Sequence, residues 1–182
     1  MNICVYCGSS RAVEERYLAV ADEMGAAMAA AGHNLVFGGG SIGLMGRLAS
    51  AVADGGGRVI GVMPEGLKES EFPFDRADEM VFTRQLRERK AIMAERADAY
   101  AVLPGGIGTL EEMFETMTLR LLGSHDRSIV IVNAHGFYDT LLSFIDELFD
   151  RGFARERARE HFKVARDVPA AIEMFAESAA EG

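Results

Sequence analysis

Two groups of charged side chains in this sequence have the types and spacing to act on a bound ligand. Glu111, Glu112 and Glu115 follow closely on a glycine-rich segment, and Arg89 and Lys90 lie earlier in the chain. A carboxylate beside a bound sugar phosphate can stabilise an oxocarbenium-like transition state, or orient a water molecule for attack at the anomeric carbon. An arginine or lysine can neutralise a phosphate or carboxylate. Both groups also have a structural interpretation, because the helix dipole favours acids in a first turn and charged residues commonly form a solvated helix face.

The acidic residues come after a short strand, a glycine loop and the start of a helix. Residues 99–103 form an apolar run, which is typical of a strand buried on both faces. Residues 104–106, PGG, end this strand, and from Thr109 the apolar spacing becomes helical. Such a loop presents backbone N–H groups at a helix N-terminus, so we predict a phosphate site at Gly106–Thr109. In the structural alternative, Thr109 caps the helix and Glu112 is its capping-box partner.

Strands and helices alternate along the rest of the chain, which predicts an α/β fold: a doubly wound, Rossmann-like parallel sheet with helices on both faces. We expect one domain over residues 1–182, with a frayed tail at 177–182, and an irregular segment at 63–78 that has the length of a lid or binding loop. The predicted strands are 2–6, 34–37, 58–62, 79–83, 99–103, 128–132 and, at an edge, 162–164. The predicted helices are 13–31, one ending at 54, 84–96, 109–122, 137–150 and 168–176.

Three of the strand-to-helix junctions carry small residues, at Gly8–Ser10, Gly38–Gly43 and Gly105–Gly108. In a parallel sheet these loops emerge at the carboxyl ends of the strands, the edge at which such folds bind ligands. None of them is a standard nucleotide motif. The Gly38–Gly43 loop fits G-x-G-x-x-G, but the next strand does not end in the acid that dinucleotide binding requires, and a G-x-x-x-x-G-K-[ST] loop is absent from the sequence.

Composition narrows the classes of partner. The net charge of −9 argues against a nucleic acid polymer and is compatible with a small phosphorylated ligand. No apolar run reaches the roughly 18–20 residues that span a bilayer. The first residues resemble a strand and lack the basic region of a signal peptide, so we expect no membrane association and a cytoplasmic location.

The cysteines and histidines do not indicate a metal site. Cys4 and Cys7 form a single C-x-x-C, and on a strand these two positions point to opposite faces, so we interpret both as structural thiols. No pair of histidines has the spacing of metal ligands. The histidines are scattered at the ends of predicted elements: His33, His125, His135 and His161.

Residues 104–112, PGGIGTLEE, match the P-G-G-x-G-T-x-x-E pattern of the Lonely Guy family of cytokinin riboside 5′-monophosphate phosphoribohydrolases, which are often labelled lysine decarboxylases. Arg89 and Lys90 resemble an R-K pair of that family, residues 6–10 its C-G-S-S turn and residues 38–46 its G-G-G-x-x-G-L-M-G loop. The resemblance covers residues 2–150. It implies an N-glycosidase: water cleaves the base–ribose bond of AMP or N6-modified AMP, releasing the free base and ribose 5-phosphate.

The resemblance also implies roles for particular residues. Arg89 and Glu112 would be the catalytic pair, and Gly106, Gly108 and Thr109 would hold the 5′-phosphate. It implies no cofactor and no metal. Members of that family are homodimers whose active sites use both subunits, so the resemblance implies a homodimer here. The implied substrate-binding residues are Glu71, Arg89, Lys90, Gly106, Ile107, Gly108, Thr109, Leu110, Glu111, Glu112 and Thr118.

Other functions use related features. A non-catalytic nucleotide sensor would employ the same glycine loop, but it does not need a carboxylate such as Glu112 close to a phosphate. Related folds serve in DNA processing, which the net charge disfavours, and as molybdenum-cofactor carriers. A lysine decarboxylase needs a Schiff-base lysine, and of Lys68, Lys90 and Lys163 only Lys90 lies near the motif, where it is better interpreted as a phosphate contact. The sequence leaves open the preferred base and the choice between dimer and hexamer.

Overall fold

Short runs of β-branched and other apolar residues form the strands, as in Ile129–Val132, whose four residues are all buried. The structure is a computed structural model and describes residues 1–180. The strands are β1 (Asn2–Tyr6), β2 (Asn34–Phe37), β3 (Val59–Pro64), β4 (Glu79–Thr83), β5 (Ala99–Val102), β6 (Ile129–Val132) and β7 (Lys163–Ala165).

The helices follow the strands almost one for one. They present apolar residues at helical spacing to the sheet, as α1 does with Val20, Met24 and Met28. The helices are α1 (Glu15–Ala30), α2 (Gly43–Asp54), α3 (Lys68–Glu71), α4 (Leu86–Arg96), α5 (Ile107–Leu121), α6 (Asp139–Asp150) and α7 (Val168–Ala180).

All seven strands are parallel, in the order β4-β3-β2-β1-β5-β6-β7. The chain starts at the centre with β1, builds towards one edge as far as β4, and then crosses to place β5 on the other side of β1. The predicted α/β fold, all seven predicted strands and the edge position of the last one are therefore confirmed. The order reverses between β1 and β5, and the loops that follow these two strands are the ones expected to border a ligand crevice.

Helices cover both faces of the sheet. One apolar core lies between the sheet and α1, α2 and α7, and the other between the sheet and α4, α5 and α6. Cys4 belongs to the second core and Cys7 to the first, and both are buried free thiols, as predicted from their spacing. Catalytic candidates on α4 and α5 therefore share one side of the sheet.

The structure differs from the predictions in the segment 63–78 and in the predicted tail. The segment 63–78 is not irregular throughout: β3 continues to Pro64, a 3₁₀ turn follows at Glu65–Leu67, and α3 is one short helical turn. In the predicted tail, residues 177–180 continue α7, and Glu181 and Gly182 lie outside the described residues. Within residues 1–180, no helix has both the length and the apolar composition needed to cross a bilayer.

Candidate active site

The loop after β5 leads directly into an open helix N-terminus. Helix α5 begins at Ile107, with Gly106 at the N-cap position and no side chain capping it. A Cβ added at Gly106 or at Gly108 would meet no atom within 4 Å, so the backbone here is open to an approaching ligand. The first N–H groups of a helix lack intrahelical partners, and together with the dipole they favour an anion.

Thr109 does not cap this helix. The helix starts two residues earlier than predicted, so Thr109 is its third residue, and its side chain is buried against Gly105. A Cβ at Gly105 would lie 2.1 Å from the Thr109 hydroxyl oxygen, so this contact requires a glycine. The capping-box interpretation of Thr109 and Glu112 is therefore wrong, because Gly106 occupies the N-cap and Glu112 faces a different neighbour.

That neighbour is Arg89. Its guanidinium comes from α4, is 8% exposed and lies with Nη1 3.4 Å from Glu112 Oε1. Its Nε donates a hydrogen bond of 3.1 Å to the Val62 carbonyl in β3. It also fits against Gly38, where a Cβ would lie 2.0 Å from Arg89 Nη2. Arg89 is thus held in place by its hydrogen bond to the Val62 carbonyl and by close packing against Gly38.

Glu112 is buried beside this arginine, and its ionisation is perturbed. Burial raises the pKa of Glu112 to about 7, against the lowering effect of Arg89 and with a further raising effect of Glu111. Oε1 has no hydrogen-bond partner of good geometry among the described residues, since the contact to Arg89 is long. A carboxyl group with a pKa near neutrality can both take up and release a proton at physiological pH.

Lys90 borders the same site. Its ammonium contacts Glu111 Oε1 at 2.5 Å and also contacts Glu115, which is one turn further along α5. Burial lowers the pKa of Lys90, but its hydrogen bonds to Glu111 and Glu115 outweigh burial and leave the pKa raised. Lys90 therefore stays charged at neutral pH.

Glu71 enters the site from the segment after β3. Its Oε1 accepts a hydrogen bond of 3.4 Å from the Ser9 hydroxyl, while Oε2 is buried without a partner among residues 1–180. The backbone of this segment is held by the Ser41 N–H, which donates to the carbonyls of Glu71 and Phe72. Phe72 has φ 49°, a conformation that is strained for a residue with a side chain and that must be stabilised by its surroundings.

These side chains line one cleft of about 760 Å³ above the point where the strand order reverses. Its size falls in the range of sites for small ligands and cofactors. Most of the residues that were predicted to bind substrate line this cleft: Glu71, Arg89, Lys90, Gly106, Ile107, Gly108, Thr109, Glu111 and Glu112.

Two predicted residues lie elsewhere. Leu110 is half-buried and packs against the core between the sheet and α5. Thr118 is exposed on α5, almost three turns beyond the loop. Neither lines the cleft of this chain.

The cleft also has an apolar end that the sequence did not indicate. Val13 and Tyr17, which precede and begin α1, lie there with Phe137, which follows β6. Tyr17 and Phe137 pack edge to face, with ring centroids 5.2 Å apart. These residues are far apart in sequence, and no motif connects them, so only the folded sheet shows that they meet. Among the described residues there is no cluster of three or more His, Cys, Asp or Glu side chains that could hold a metal ion.

The sequence is similar to a known protein family and to named proteins of two plants. Residues 45–175 match the sequence family described as "Possible lysine decarboxylase". The chain is 47% identical over 158 residues to the cytokinin riboside 5′-monophosphate phosphoribohydrolase of rice, Oryza sativa subsp. japonica, which covers 87% of this chain and 65% of the rice protein. It is 44% identical over 159 residues to a phosphoribohydrolase of the same name from Arabidopsis thaliana, covering 87% of this chain and 74% of that protein.

The chain belongs to the Lonely Guy family. The resemblance seen in residues 104–112 thus extends over most of the chain. Among solved structures, the molybdenum cofactor carrier protein of Chlamydomonas reinhardtii superposes with a TM-score of 0.75 over 98% of both chains. Its sequence identity is 24%, so this likeness establishes the shared fold alone.

Proposed function

We propose that this member of the Lonely Guy family is a phosphoribohydrolase that cleaves AMP or an N6-modified AMP to the free base and ribose 5-phosphate. The observation that carries the proposal is the buried pair of Arg89 and Glu112, next to the open N-terminus of α5. The names of the rice and Arabidopsis relatives support the same reaction class. A sensor that only held a nucleotide would gain nothing from burying a carboxyl group, whose ionisation burial disfavours, beside a dianionic phosphate.

The 5′-phosphate would bind at the open end of α5. The N–H groups around Gly106 and Gly108 are free of side-chain caps, and the charged Lys90 lines the same cleft. Backbone donors, the helix dipole and one cation together form a typical site for a phosphate group. Holding the phosphate here would place the ribose over Glu112, one turn into the helix.

Glu112 and Arg89 would carry out the chemistry at the anomeric carbon. As the bond between C1′ and the base nitrogen breaks, the electron pair leaves with the base, and positive charge builds on the sugar ring. In its ionised form Glu112 stabilises that charge and accepts a proton from the attacking water, whose oxygen bonds to C1′. The proton then passes to the departing base, which restores the carboxylate. Arg89 favours the ionised form, because its charge lowers the pKa that burial raises.

We also propose that the protein acts as a homodimer with its active sites at the interface. Helix α5 carries an exposed apolar row on the side away from Glu112: Ile107 is 83% exposed, Phe114 39% and Leu121 38%. These residues are seven apart and share one side of a helix, and Thr118 falls on the same side. A second subunit covering this row would bring Thr118 next to a neighbouring cleft, which would explain why it is outside the cleft of its own chain. Light scattering on the purified protein should give twice the mass of 19.7 kDa, and a monomer would contradict this part of the proposal.

The test of the reaction is direct. Purified protein is incubated with AMP and, separately, with N6-isopentenyladenosine monophosphate, and the products are separated by chromatography. Free base and ribose 5-phosphate in equal amounts support the proposal, and the ratio of rates gives the base preference. Binding of both nucleotides without release of base would favour the sensor function. The predicted cytoplasmic location stays a prediction.

A further inference from the structure

Lys90 lines the same cleft as the open end of α5, and it is already paired with two carboxylates. Its side chain is 17% exposed and its ammonium lies between Glu111 and Glu115, which are four residues apart on one face of α5. The two acids differ in one respect: Glu111 lines the cleft and Glu115 does not. Glu115 therefore reaches Lys90 from outside the space that a ligand would fill.

This arrangement sets up a competition for the lysine. A bound phosphate would bring two negative charges to a group of one lysine and two carboxylates that already has an excess of negative charge. For Lys90 to bind a phosphate oxygen, its ammonium must give up at least part of its contact with the carboxylates. Glu111 can move with the ligand because it borders the cleft and is 55% exposed. Glu115 is 42% exposed but does not border the cleft, so no contact with the ligand would replace the one that it loses when Lys90 moves.

We propose that Glu115 holds Lys90 away from the phosphate position and thereby limits the affinity of the enzyme for 5′-phosphorylated ligands, including the product. The inference rests on the proposed function for the identity of the ligand. Glu115 would be a positioning residue, because it acts through Lys90 and does not touch the substrate. An enzyme that releases ribose 5-phosphate benefits from such a limit, since a product held too tightly slows each turnover.

The test is calorimetric binding of ribose 5-phosphate to the wild-type protein and to Glu115→Gln, which keeps the size of the side chain and removes its charge. We expect the Kd to fall about three- to fivefold, the effect of freeing one partly exposed ion-pair partner. The KM for AMP should fall with it. A matched control is Glu147→Gln on α6, because Glu147 is similarly exposed, is paired with Arg151 and does not line the cleft.

A second comparison separates the action of Glu115 through Lys90 from plain repulsion by its charge. In a Lys90→Met background, Glu115→Gln should leave the Kd of ribose 5-phosphate unchanged, because there is no longer an ammonium to release. An unchanged or higher Kd for Glu115→Gln alone would overturn the proposal, and so would an equal gain in the Lys90→Met background. These measurements need no turnover. A protein that released no base would refute the proposed function and leave this result standing.

Discussion

The two glycine loops at the carboxyl edge of the sheet have similar sequences and opposite uses. In the packed loop, residues 38–46, a Cβ at Gly38 would overlap Arg89, and one at Gly46 would lie 2.0 Å from the Ser41 carbonyl oxygen. In the open loop, residues 104–108, a Cβ at Gly106 or Gly108 would meet nothing within 4 Å. The glycines of the packed loop let protein atoms approach one another, whereas Gly106 and Gly108 leave room for a ligand. The loop that fits G-x-G-x-x-G is the packed one, whereas the open loop lacks this pattern.

Of the two glycine loops, the packed one should give the larger loss of activity when a methyl group is added. In Gly38→Ala the new Cβ would lie 2.0 Å from Arg89 Nη2, so the end of that flexible side chain must move. Displacing a catalytic group by about 1 Å costs roughly 100-fold in rate, and we expect turnover of AMP to fall by that factor while the fold is kept. Gly66→Ala is the control, because a Cβ there meets nothing within 4 Å. Full activity in a folded Gly38→Ala protein would show that the packed loop does not position Arg89.

The buried carboxyl group of Glu112, next to Arg89, should also affect the free energy of unfolding, and this effect should depend on pH. The pKa of Glu112 is raised from 4.5 to about 7, so between these values the native state holds a proton that the unfolded state has lost. Stability from this group is therefore fully present below pH 4.5 and is lost as pH rises towards 7. Glu112→Gln removes the titration, so relative to wild type it should gain about 2–3 kcal/mol in free energy of unfolding between pH 5 and pH 8.

Urea unfolding of both proteins at the two pH values measures this gain. Glu111→Gln provides the control, since its side chain is 55% exposed and its substitution should produce a much smaller change with pH. If the stability difference between wild type and Glu112→Gln were the same at pH 5 and pH 8, Glu112 would not be the buried acid described here.

A smaller effect is expected from a methyl group in the open loop. Gly108→Ala adds a Cβ to open space at the second position of α5, so nothing in the unliganded protein opposes it. Replacing a helical glycine with alanine favours the helix by about 1 kcal/mol, so the melting temperature should not fall. The methyl group would crowd a phosphate bound at the N-terminus, and we expect the KM for AMP to rise about tenfold with kcat nearly unchanged. An unchanged KM would place the phosphate elsewhere in the cleft.

Sequence reasoning predicted the fold well because the relevant signals are local. Buried strands such as Ala99–Val102 are short apolar runs between glycines and charged residues, and the helices have clear apolar spacing. It also grouped Arg89 with Glu112, although only through the family resemblance, and the structure brings the two side chains together.

The parts that were missed depend on contacts between distant segments. The packing of Gly38 against Arg89 and the meeting of Tyr17 with Phe137 arise from the order of the strands, which no local pattern encodes. The start of α5 was misplaced for a different reason. Thr109 and Glu112 have the spacing of a capping box, but Gly106 already provides the N-cap, and burial against Gly105 determines where Thr109 lies.

If Arg89 and Glu112 together cleave the base–ribose bond, replacing either residue should stop the release of adenine from AMP. Release of adenine from AMP is followed for wild type, Glu112→Gln and Arg89→Ala, with circular dichroism to confirm that each variant is folded. We expect the wild type to release adenine and ribose 5-phosphate in equal amounts, and each variant to lose about a thousandfold in turnover. Turnover close to that of wild type in a folded Glu112→Gln protein would contradict the account.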